Sequence, residues 1–163
     1  MTEPAPVVYS DLVKTLLDIE NGRRTSLEQK GAAVITTSGT LVTLLFGLVA
    51  VITSADTFVL PGDANGPLVA ALILFVVACG FAIMISVPLP YGQSNITIDD
   101  LAQWWGDSNS QALAAVAGLR LRAIDVARRR NAVKVALLLA ALLSELAALV
   151  LLTVAVLAVV QAR

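Results

Sequence analysis

The sequence contains no histidine and a single cysteine, Cys79. These absences remove histidine-based acid–base catalysis, the usual zinc ligand sets and any internal disulfide. Charge is also scarce: charged residues make up 14% of the 163 residues, against a usual share of about 25% in soluble domains. The formal charge is −1, from 11 basic and 12 acidic side chains, so no overall basic field points to nucleic acid. What is abundant is apolar surface. Hydrophobic residues make up 58% of the chain and the mean hydropathy is +0.85. A chain of this kind cannot cover itself with polar groups, so both a water-soluble globule and a disordered chain are excluded.

A helix needs roughly 20 apolar residues to cross a hydrocarbon core of about 30 Å. Segments 31–55, 67–88 and 132–160 meet this requirement. Breakers separate the first two, from Leu60-Pro61-Gly62-Asp63 to Asn65-Gly66-Pro67. Pro88 and Pro90 close the second. The expected fold is therefore an all-α integral membrane protein with three transmembrane helices. An N-terminal amphipathic helix (1–30) precedes them, and a helical insert (89–131) runs continuously into the last span. The expected loop is 56–66 and the tail is 161–163.

Lys and Arg placement orients the chain. Ten basic residues lie in the N-terminal flank and the 88–134 region, and one, Arg163, lies in the tail. The positive-inside rule puts the N-terminus and the insert in the cytoplasm and the C-terminus outside. Arg23-Arg24 before an apolar run resembles a twin-arginine export signal. The run is too long for a signal core, and two further spans follow, so a basic cytoplasmic flank is the better reading. The sequon at Asn95-Ile96-Thr97 falls on the cytoplasmic side and is discounted.

Within 8–28, the residues Val8, Leu12, Leu16, Ile19 and Leu27 sit near helical spacing and form the expected buried row. In the insert, Trp104, Trp105 and Tyr91 suit either a membrane-surface helix or packing under the N-terminal helix. Ser108-Asn109-Ser110-Gln111 has the spacing of a capping box, and the helix it opens could extend to 160, about 75–80 Å. Ala112, Val116, Leu119, Ala123 and Val126 give that helix an expected seam. Arg128, Arg129 and Arg130 with Lys134 mark a headgroup boundary. They read first as an orientation anchor and second as a site for anionic lipid or ligand.

One residue is out of place. Glu145 lies eleven residues beyond Lys134, deep in the third span. A carboxylate there costs at least about 2.5 kcal/mol, so it should face protein rather than lipid. Ala141 and Ala148 share its face, and Ser144 lies beside it. In the first span, Gly39, Thr43 and Gly47 form a row of small residues suited to helix packing, and Thr40 and Thr43 lie at the depth of Glu145 when counted from Lys30. The expectation is that spans one and three pack, with Glu145 bonded to Thr40 and Thr43. Two roles remain open for it: helix–helix glue, or part of a proton or ion path. Cys79 reads as an inert small hydrophobe. No phosphate loop, nucleotide fingerprint or nucleophile–base pair is present, so neither a cofactor, a metal nor an enzymatic activity is expected.

The layout also resembles that of a known family. Glu20-x-x-Arg23 precedes Leu27-Glu28-x-Lys30-Gly31-Ala32-Ala33 at the opening of the first span, and Arg129-Arg130-Asn131-Ala132-x-Lys134 opens the last. This arrangement resembles the small transmembrane effectors of bacterial cyclic-pyrimidine antiphage signalling, the Pycsar transmembrane type, and related actinobacterial and phage membrane proteins. The family often has Asp-x-Lys-Ala where this chain has Glu28-Gln29-Lys30-Gly31. The resemblance implies membrane impairment triggered by a cyclic nucleotide, with Arg23, Lys30, Arg128, Arg129 and Arg130 near the ligand. The expected function is a non-enzymatic, self-associating stress or antiphage effector whose partners are the bilayer and further copies of itself. Two alternatives are an immunity or accessory protein bound to another membrane protein, and a minimal proton-linked channel or transporter.

Overall fold

The computed structural model describes residues 5–53, 62–87 and 109–161, and these are helical apart from Val87. Helix α1 spans Ala5–Thr53, α2 spans Gly62–Ser86 and α3 spans Asn109–Gln161. Each is long and apolar enough to cross a membrane, which fits a multi-pass membrane protein.

The amphipathic stretch and the first span form one uninterrupted helix of 49 residues, about 74 Å long. No proline interrupts it after Pro6, and internal glycines such as Gly22 cost about 1 kcal/mol each without breaking a helix. Helix α3 is likewise continuous through 53 residues. Helix α2 begins five residues ahead of Pro67, so 62–66 are helix rather than loop. Pro67 lies just past the first turn, where its missing N–H leaves the Asp63 carbonyl without its helical partner and its ring crowds that oxygen, a cost confined to the helix end. Tyr91, the sequon, Trp104, Trp105, Ser108 and most of the expected 56–66 loop lie outside the described residues.

The chain divides into two units. Unit 1 takes residues 1–26 and 88–133, and unit 2 takes 27–87 and 134–163. In unit 1, α1 and α3 run in the same direction, since Ser10 meets Arg120 and Glu20 meets Arg128 and Asn131. The buried residues are Val13 and Glu20 on α1 and Ile124, Ala127 and Asn131 on α3. These are not the rows expected from the apolar pattern. Val8, Leu12 and Ile19 are exposed and Leu16 is half-buried, while Leu27, at the end of the expected row, is buried; on α3 Ala112, Val116 and Leu119 are half-buried and Ala123 and Val126 exposed. The buried face is turned from that expectation by about 100° on α3 and by less on α1, where Leu27 lies in both rows. The turn brings Glu20 against Asn131 and Arg128, and a bonded polar group belongs in the seam where an apolar pattern would exclude it.

In unit 2, Leu27, Val34, Ala82, Ile85, Leu138 and Ala141 form one core cluster drawn from all three helices. The buried rows follow three-and-four spacing: Leu27, Val34, Ser38 and Leu45 on α1; Ala71, Phe75, Ala78, Ala82 and Ile85 on α2; Leu138, Ala141, Glu145, Ala148 and Ala155 on α3. That repeat belongs to left-handed helix bundles. Alanine dominates α2 and α3, as expected where helices pack closely in lipid. Gly31 marks the tightest approach. A Cβ added there would lie 3.3 Å from Ile85 Cγ2 and 3.4 Å from the Ala82 carbonyl oxygen. The C-terminal end of α2 thus sits beside the unit 2 beginnings of α1 and α3, as an up-down-up order requires. Outward-facing residues such as Leu44, Ile73, Leu143 and Val150 present an apolar exterior to the surroundings.

Candidate functional site

In unit 2, Glu145 is 8% exposed and lies on the α3 seam between the fully buried Ala141 and Ala148. The Ser38 hydroxyl donates to Glu145 Oε1 at 3.2 Å. Ser38 itself is fully buried. The expected partners are elsewhere. Thr40 and Thr43 are exposed and donate to the carbonyls of Thr36 at 2.8 Å and Gly39 at 2.9 Å. Ser144 donates to the Ala140 carbonyl at 2.9 Å. A threonine hydroxyl on a helix satisfies itself this way and needs no neighbour.

The reason for the change of partner is register. Lys134 Nζ donates to Glu28 Oε1 at 2.7 Å, so Glu28 rather than Lys30 stands level with Lys134. Ten residues beyond Glu28 lies Ser38, which continues the Leu27, Gly31, Val34 face of α1. Gly39 and Gly47 are exposed, and a Cβ on either meets nothing within 4 Å, so among the described residues their row packs against no helix. Gly31 holds the packing position instead.

The Glu28–Lys134 pair is a second feature of unit 2. The Lys134 side chain is 5% exposed and that of Glu28 is 31% exposed. An ammonium held that deeply is tolerated because an opposite charge and a hydrogen bond accompany it. Lys30 is exposed on α1.

In unit 1 the polar centre is Glu20, a residue outside the expected set except through the family motif. Asn131 Nδ2 donates to the Glu20 carbonyl oxygen and to Oε2, both at 3.1 Å. Arg128 Nε donates to Glu20 Oε1 at 3.3 Å, and Arg23 pairs with the same oxygen at 3.6 Å. Arg129 pairs with Asp125 at 3.2 Å on the surface, and Arg130 is half-buried. Of the arginines expected near an anion, Arg23 and Arg128 therefore converge, but on a carboxylate of the same chain.

Glu20, Asn131 and the Glu28–Lys134 pair were missed because an apolar-row reading assigns polar residues to the outside, and Ser38, one of several hydroxyls in the first span, was passed over because depth was counted from Lys30. The signal available was their own spacing: Glu20, Leu27, Val34 on α1 and Asn131, Lys134, Leu138 on α3 repeat at three, four or seven residues. Cys79 is a half-buried free thiol on α2. Among the described residues no group of three or more His, Cys, Asp or Glu could hold a metal ion. No protein-family model matches the chain, and no curated protein and no solved structure is significantly similar to it.

Proposed function

We propose that this chain is a small, non-enzymatic protein of the bacterial inner membrane that works through helix association, as a stress or antiphage membrane effector. The observation that carries this reading is the enclosed Glu145–Ser38 bond between two long apolar helices. A carboxyl in such a helix costs insertion energy, and such residues in membranes mark working sites or interfaces. The parallel course of α1 and α3 in unit 2 supports placing the N-terminal flank and the basic 120–134 region on one leaflet, which the positive-inside rule assigns to the cytoplasm.

The trigger reading comes from the family resemblance, and the Glu20 cluster offers a place where it could act. A cyclic nucleotide carries a phosphate, which would compete with the Glu20 carboxylate for Arg128 and Arg23. Losing those partners would leave Asn131 as the remaining tie on the Glu20 carboxylate and loosen the α1–α3 contact of unit 1. Membrane potential during induced expression tests the reading. A fall that grows when a cyclic pyrimidine nucleotide is supplied is the expected result. A potential that stays intact with and without nucleotide rejects the effector role. The transporter alternative is read from proton flux in vesicles, where loss in Glu145→Gln with normal assembly would favour it.

A further inference from the structure

Glu145 uses only one of its two oxygens inside the chain. Among the described residues its single hydrogen bond is the one that Oε1 accepts from Ser38. Oε2 accepts none, and among the described residues no fully enclosed side-chain oxygen lacks a partner, so Oε2 is not sealed inside the bundle. In hydrocarbon that atom would meet no donor, an expensive state for a side chain otherwise more than nine-tenths buried.

Glu145 also lies on a second row of α3, at the edge of the packed seam. Leu142, Glu145, Leu149, Leu152 and Val156 follow one another at spacings of three, four, three and four. Leu142, Leu149 and Val156 are 45%, 37% and 44% exposed, although the row lies next to the seam that packs within the chain. This is a heptad-type seam with one polar member at its centre, and Glu145 belongs to both rows. In coiled coils a single polar residue in such a row fixes register and copy number.

The geometry points to a second copy of this chain as the occupant: α3 pairs with α3 along the row from Leu142 to Val156, and Glu145 meets Glu145 across a two-fold axis. Membrane insertion gives every copy the same direction and depth, so the two rows meet in parallel and in register. A hydrogen bond between the facing carboxyl groups supplies the partner that a lone copy lacks, while each Oε1 keeps Ser38. The inference rests on the self-association in the proposed function and names its surface.

Oxidative crosslinking of the full chain in native membranes tests it. Cysteine is placed singly at Leu142, Leu149 or Leu143 in a Cys79→Ala background; Leu143 is 65% exposed and lies off the row. At least about five-fold more crosslinked dimer is expected at 142 and 149 than at 143. In detergent, Glu145→Leu should weaken association about three- to ten-fold, whereas Glu145→Gln, which keeps a donor and an acceptor, should restore it. Ser38→Ala removes only the contact within the chain and should leave the dimer. Equal crosslinking at all three sites, crosslinking at none, or wild-type association of Glu145→Leu overturns the interface. The membrane-potential assay is separate. Row-specific crosslinks with an intact potential would sink the effector role and leave the interface standing; a collapsing potential without them would do the reverse.

Discussion

In unit 1, α1 and α3 are joined by a carboxylate, two guanidinium groups and an amide gathered on Glu20, and the Arg128 side chain in that group is 58% exposed. In unit 2 the same two helices meet through alanine, valine and leucine, with one hydroxyl–carboxyl bond and one ion pair whose ammonium is buried, among the described residues. The difference matches two solvents. Where water reaches the seam, charged groups keep part of their hydration, and each pair contributes only about 0–1 kcal/mol while setting direction and register. Where the exterior is apolar, hydrophobic burial no longer separates inside from outside, and close approach and enclosed polar bonds decide the partner.

Substitution at Gly31 should separate the two regimes most sharply. Gly31→Leu drives a side chain into Ile85 and the Ala82 backbone, and should cost about 3 kcal/mol in mixed-micelle unfolding, whereas Gly39→Leu and Gly47→Leu should stay within about 0.5 kcal/mol. Next comes Glu28→Ala, which strands the Lys134 ammonium. A loss of about 2 kcal/mol is expected, below the usual figure for a fully buried pair because Glu28 is partly exposed. Glu20→Ala deprives the buried Asn131 amide of one acceptor and should cost about 1–2 kcal/mol. Hydrogen exchange should rise in 13–24 and 120–131 and hold steady across 31–47. Smaller again, Ser38→Ala should cost about 0.6–1.7 kcal/mol, while Thr40→Val and Thr43→Val change little because their hydroxyls serve only their own helix. The least effect is ionic: raising salt to about 1 M should loosen protection around Glu20 by a few tenths of a kcal/mol and leave the Ser38–Glu145 region unmoved.

Much of the architecture was readable because it depends on length and on breakers. Runs of apolar residues long enough to cross hydrocarbon stand out, and the absence of proline between 109 and 161 predicts the single α3 helix. The oddity of Glu145 was readable for the same reason, since one charge in such a run is conspicuous. Which way each helix faces was not. Apolar spacing offers two adjacent rows on α1 and two on α3, and the choice between them is made by Glu20 finding Asn131, a contact 111 residues apart. The partner of Glu145 was hidden similarly: an abundance of threonines drew attention to Thr40 and Thr43, which bond to their own turns, while Ser38 alone continued the packed face.

The order of synthesis gives the Glu28–Lys134 pair a further meaning. A membrane chain emerges N-terminus first, so Glu28 and Ser38 are in place long before Lys134 and Glu145 leave the ribosome. The last segment therefore enters a bilayer that already holds a counter-charge and a hydroxyl for its two costly residues. Removing the first helix would strip the third of both receptors, leaving a nascent segment that inserts poorly and is marked for degradation.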